Sequence, residues 1–140
     1  MVLHTSVKSG KNGTTRLRLL LDTNSIIDFL KNDGIFDLPS LLLQHECFTS
    51  VIVKLELLKY SGITPDEEYA INEFLRLVPI AQLNQSIENE TIAISRSTRL
   101  KLPDAIIGAT AIIYGAEIIT RDSHFLECRY EKLKIWNSER

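Results

Sequence analysis

Long apolar runs are missing from this 140-residue chain. None approaches the roughly 18 consecutive apolar residues of a membrane-crossing helix, and the first residues lack the apolar segment of a secretory signal. The sequence therefore predicts a soluble, cytoplasmic protein with no membrane contact. Cysteine is scarce as well. Cys47 and Cys128 lie far apart, form no CxxC pair and have no His at metal-ligand spacing. That supports neither a disulfide framework nor a zinc site, and leaves two buried thiols as the expectation. Positive charge is also in deficit: the net charge is −2. Residues 1–18 carry Lys8, Lys11, Arg16 and Arg18 and no acid, leaving 12 basic against 18 acidic side chains, a balance of −6, for the rest. Such a balance argues against a general nucleic-acid binder, but not against one whose acids surround cations, because a bound cation inverts the local field.

What is present fits one domain, since 140 residues with 44% hydrophobic content suffice for a single core. Residues 1–15, MVLHTSVKSGKNGTT, are polar and without an apolar period, and read as a flexible N-terminal extension. Its basic charge could touch phosphates, although a leader or solvated tail explains it more simply. From residue 16 to 140, short β-like runs (LRLLL, CFTS running into VIV, LVPIA, AEIIT and LKIW) alternate with helical patterns over residues 23–31, 38–44, 51–61, 65–77, 85–100 and 103–115. That alternation predicts an α/β fold with a parallel sheet. No internal repeat or low-complexity tract interrupts it.

Four acids stand out by position. Open parallel sheets bind ligands beyond the carboxyl ends of their strands. Asp22 directly follows LRLLL, and Asp122 follows AEIIT after Thr120 and Arg121, so the two share one sheet edge if those strands are neighbours. Asp104 follows Pro103 at a helix start, where the macrodipole favours an anion. Glu56 sits among Leu55, Leu57 and Leu58, in surroundings where a carboxylate needs a partner. Each alone is explained as a helix cap or a solvated acid. Together, four carboxylates would repel one another unless hard divalent cations intervened, and all-oxygen ligation selects magnesium or manganese.

In this order and spacing, LLLDTNSIIDFL, SVIVKLELL and KLPDAIIGATAIIYGAEIITRDSHF resemble the PIN-domain family, in particular the VapC-type toxin ribonucleases of type II toxin–antitoxin systems. The resemblance covers nearly all of residues 17–136. It implies a single PIN-like nuclease domain over residues 16–140, three-layered α/β/α around a parallel sheet of about four to five strands. It also implies that Asp22, Glu56, Asp104 and Asp122 are the catalytic, metal-holding quartet for Mg2+ or Mn2+, with Thr120 and Asn24 in support. The implied activity is hydrolysis of RNA phosphodiester bonds to 5′-phosphate and 3′-hydroxyl ends. A cognate antitoxin protein and a homodimer are the implied partners, with apolar residues on the helices between Ile35 and Tyr69 as a groove for the former.

Arg99 and Lys101, in RSTRLK, are candidates for RNA backbone contacts, or equally a solvated, dipole-matched helix end. His124 reads as a turn histidine within reach of phosphate, and Asp28 falls on a different helical face from Asp22. The aromatics are scattered rather than arranged for base stacking. A non-catalytic PIN-like RNA- or protein-binding module is the alternative. A receiver domain would want paired acids after its first strand, and a haloacid-dehalogenase phosphatase would want Asp where Asn24 stands. Cleavage of DNA is not separated from cleavage of RNA by metal chemistry alone.

Overall fold

The structure is a computed structural model that describes residues 16–32 and 36–137. The expected N-terminal extension lies outside the described residues. Strand β1 (Arg18–Leu21) is buried at all four positions, so its sequence is a continuous run rather than an alternation, as befits a strand covered on both faces. It pairs in parallel with β2 (Glu46–Ser50), Leu19 against Cys47 and Leu20 against Phe48, and on its other side with β4 (Glu117–Ile119), Leu21 against Ile119. A two-residue β3 (Ile80–Ala81) extends β2 outward, giving the all-parallel order β3-β2-β1-β4.

Helices α1 (Thr23–Leu30) and α2 (Leu38–Gln44) connect β1 to β2, and α3 (Val51–Leu58) and α4 (Pro65–Leu75) connect β2 to β3. The chain then crosses back through α5 (Gln85–Ser97) and α6 (Leu102–Ile113) to β4, and ends with the short α7 (Ser123–Glu127). Right-handed crossovers that advance in opposite directions along a sheet place their helices on opposite faces. The first four helices and the α5–α6 pair therefore form the outer layers, as expected for the fold class.

Two strand expectations shrink on inspection. LVPIA reduces to β3 because Pro79 has no N–H to give a ladder; its carbonyl instead accepts from the Thr49 N–H at 3.0 Å. LKIW yields one parallel bridge, Ile118 with Ile135, made by the Ile118 N–H to the Lys134 carbonyl and the Trp136 N–H to the Ile118 carbonyl, both 2.9 Å. The sheet thus has four strands and a vestige of a fifth.

Leu19, Leu20, Leu21, Phe48, Ile118 and Ile119 are sealed from solvent at the centre of the main core. Each such side chain contributes about 1.5–3 kcal/mol on burial. A second cluster, Ile87 and Ile94 of α5 against Ala105 and Ala109 of α6, joins the last two long helices. Gly108 lies on that contact. A Cβ there would stand an ordinary 3.5 Å from the Ile94 side chain but a tight 3.3 Å from that of Leu133, so the hydrogen chiefly makes room for the segment after α7. At the other end of α6, Gly115 takes φ 64°. The Ala116 N–H returns to the Ala111 carbonyl at 2.8 Å and the Gly115 N–H to Ile112, a Schellman ending that turns the chain into β4.

Beneath the sheet, Arg18 is buried. Its Nε lies 3.1 Å from Glu46 Oε2 and its Nη1 donates to the Tyr114 carbonyl at 2.9 Å, tying the start of β1 to the C-terminal end of α6. The two cysteines are half-buried rather than buried, and desolvation pushes the Cys47 thiol up to about 12, which leaves it unreactive.

Candidate functional site

From β1 the chain first builds outward to β2 and β3 and later returns to the opposite side of β1. The carboxyl ends of β1 and β4 therefore flank the point where strand order reverses. Asp22 leaves β1 there and caps α1, with Oδ1 accepting the Ser25 N–H at 2.8 Å. The Ser25 hydroxyl donates to the Ile119 carbonyl at 3.1 Å, fastening α1 to the end of β4. Asp122 plays the same part on the other side, capping α7 through the His124 N–H at 2.8 Å, with the His124 ring Nδ1 3.0 Å from the same oxygen. Thr120 links the two acids: its hydroxyl oxygen accepts the Asp122 N–H at 3.0 Å and its proton goes to the Asp22 carboxylate.

The other two acids arrive on helices. Ser50, the last residue of β2, caps α3 and so starts that helix at the same sheet edge. Glu56 lies in its second turn, on the side packed against α1, where the Thr23 hydroxyl donates to Oε1 at 2.6 Å. Asp104 occupies the first turn of α6, behind Pro103, where the helix dipole favours a carboxylate. Asp22, Glu56, Asp104 and Asp122 all line one open cleft of about 270 Å³, floored by Ile107 and Phe125.

The electrostatics match the geometry. Burial raises the Asp22 carboxyl above its ordinary value, against hydrogen bonds from Ser25 and Thr120, and the charge of Asp122 adds to the rise. Asp104 is raised by burial, then by the charges of Asp122 and Glu56, while His124 opposes the shift. Repulsion of this kind is what a divalent cation relieves.

The donor set is all carboxylate and hydroxyl oxygen at the cleft wall, which suits a hard cation. Among the described residues no three His, Cys, Asp or Glu side chains come together closely enough to hold one metal ion between them. Magnesium does not require such a cluster, because it keeps several waters and takes one or two carboxylates beside substrate phosphates. The chemistry of the donors, rather than a preformed set of ligands, is what suits such an ion.

Of the expected supporting residues, Thr120 is buried between two acids, whereas Asn24 is exposed on the cleft wall. Lys101 lines the cleft. Arg99 does not, and falls instead in a neighbouring groove. Asp28 is outside the cleft, held by two hydrogen bonds from Arg121, Nη2 to Oδ1 being 3.0 Å, which keep its carboxyl below the usual range. The cation next to Asp122 in sequence is thus engaged with Asp28. Sequence reasoning passed over Thr23 and read His124 as a turn residue. The only available signals were the Thr of DTN beside a helix start and a His two residues beyond a capping Asp.

Thr23 gives the first expected result. Thr23→Val keeps the shape but removes the hydroxyl that holds Glu56, and orienting hydrogen bonds of this kind change metal affinity about 10–100-fold. Titration with Mn2+, followed by its electron paramagnetic resonance, should show weaker binding, with Thr23→Ser close to the parent; equal affinity in both variants refutes the role.

A single parallel α/β domain with carboxylates gathered at the strand-order reversal defines the class of protein. The family model of the PIN domain matches residues 19–129, and the protein belongs to the PIN-domain family. Members are generally nucleases and generally use divalent metal ions. Among solved structures, the chain is similar to one in a toxin–antitoxin complex from Klebsiella pneumoniae, with 28% identity and TM-score 0.66 over 84% of this chain and 99% of that one. It also matches the fold of VapBC2 from Rickettsia felis bound to a promoter DNA fragment, with 17% identity, TM-score 0.72, and 86% and 100% coverage. DNA-bound VapBC from Salmonella typhimurium gives 20% identity and TM-score 0.70, covering 86% of this chain and 97% of that one. No curated protein sequence matches the chain.

Proposed function

We propose that the protein is a VapC-type toxin: a metal-dependent endoribonuclease that is silenced by a cognate antitoxin. The observation that carries this reading is the meeting of Asp22, Glu56, Asp104 and Asp122 on one cleft wall, with two of them raised by burial and mutual repulsion. Asp22, Glu56, Asp104 and Asp122 would hold Mg2+ or Mn2+, which would supply a water of lowered pKa and offset charge on the scissile phosphate. Thr120 and Thr23 fix the carboxylates that face the ion. Lys101, on the same wall, attracts the substrate phosphate, and Asn24 lies at the exposed rim to hydrogen-bond the strand. Hydrolysis adds water at phosphorus, breaks the bond to O3′ and passes a proton to that oxygen, leaving 3′-hydroxyl and 5′-phosphate ends.

Leu43, Leu55, Tyr60 and Tyr69 are exposed on and beside α2, α3 and α4, and exposed apolar side chains on these helices are in keeping with antitoxin packing there. A homodimer is part of the same reading. No helix among the described residues is long and apolar enough to cross a membrane, which is compatible with action on cytoplasmic RNA. The test is a cleavage assay on a mixed RNA pool. Cutting is expected with Mg2+ or Mn2+ and should stop with chelator, the products accepting ligation through a 5′-phosphate. Binding of RNA without any cutting would instead support a non-catalytic module.

A further inference from the structure

Beside the acidic cleft runs a second, somewhat larger groove of about 330 Å³. One wall is the C-terminal end of α5 and the link to α6, including Thr98 and Arg99; the other is α7 and the residues after it, including Glu127 and Arg129. His124 lines both hollows, so they adjoin at that residue. Arg99 and Arg129 are exposed, and among the described residues neither forms an ion pair. That is notable in a domain with six more acids than bases beyond residue 18, and more so because Glu127 shares the groove.

We propose that this groove holds backbone phosphates of the RNA strand flanking the cleaved linkage, with Arg99 and Arg129 as its cations. The inference rests on the nuclease reading and extends its substrate track beyond the acids. A guanidinium presents a planar fork of donors that matches a phosphate, and two unpaired forks next to a metal-holding cleft give a polyanion a reason to continue past His124. The scissile phosphate would meet the cations held by the acids, and its neighbours would meet protein cations. This division explains how an acidic domain attracts an acidic polymer.

The test separates binding from cutting. In an Asp22→Asn background, binding of a short fluorescein-labelled single-stranded RNA pool of mixed sequence is read by anisotropy over a salt series. Arg99→Ala with Arg129→Ala should weaken binding about tenfold and flatten the slope of log K against log salt by about 1.4, the value for two lost phosphate contacts on a single strand. Glu127→Gln should tighten binding, which a structural role for the groove would not predict. Both arginines are exposed, so melting temperature should stay at the parent value. Unchanged affinity and slope in the double variant overturn the proposal, as does loss of binding to polyglutamate but not to RNA. Cutting by the parent protein is scored independently: if it is absent, the nuclease reading fails whatever the groove does.

Discussion

Asp22→Asn is expected to abolish RNA cutting while leaving the protein folded. The amide oxygen can still accept the Ser25 N–H and cap α1, so the local structure survives. What disappears is the negative charge that, on the proposed reading, would hold a divalent ion beside the scissile phosphate, and removing such electrostatic support lowers turnover by at least about 10²–10³-fold. Asp104→Asn should act alike, since its carboxylate faces the same cleft from α6 and makes no side-chain cap for that helix. Glu67→Gln provides the comparison. It removes a carboxylate from the capping box of α4, where Glu67 accepts from the Thr64 N–H at 2.9 Å, and should leave cutting intact. Parent-like cleavage by both aspartate variants would place the active centre elsewhere.

The second large effect is on stability. Asp22 and Asp104 both have carboxyls raised above 3.8 in the folded state. For a raised acid, the stabilising contribution is complete below the unfolded value and is lost as pH climbs through the folded value. The contribution of these two acids should therefore lower the melting temperature of chelated protein as pH rises above about 4, while the lowered Asp28 carboxyl acts in the opposite sense only at the acid end. Mg2+ or Mn2+ should reverse the trend, because an ion that binds only the folded form stabilises it by about 2.7 kcal/mol at a hundred times its dissociation constant. In a domain of this size that amounts to a rise of about 10 °C, and it should be larger at pH 8 than at pH 5, where protons compete. Asp22→Asn and Asp104→Asn should flatten the pH dependence without metal. A melting temperature indifferent to both pH and Mn2+ would refute this account.

The positions of these acids were legible in the sequence to different degrees. Asp22 and Asp122 end apolar strands and cap the next helix, and both signals are local, so strand order alone was needed to bring them together. Glu56 was visible as an acid inside an aliphatic run, but its partner was not. Thr23 lies 33 positions away, and only the packing of α3 on α1 makes the pair. The bond between Asp28 and Arg121, 93 positions apart, is illegible for the same reason. Arg99 and Lys101 look equivalent in RSTRLK, yet they line different hollows on either side of the turn into α6. Helix ends were misjudged by a few residues where polar and apolar periods fade gradually, as at Ser97. The start of α4 was clear because Thr64, Pro65 and Glu67 form a reciprocal cap.

The buried arginine at the foot of the sheet has a remote consequence. Helix α6 is anchored there through the Tyr114 carbonyl at its C-terminal end and presents Asp104 in its first turn, ten residues and about 15 Å away along a stiff rod. A small tilt at the anchored foot swings the tip by more than the precision that catalysis tolerates. The pairing of Arg18 with Glu46 and Tyr114 thus serves as a fulcrum, setting the aim of a carboxylate it never touches.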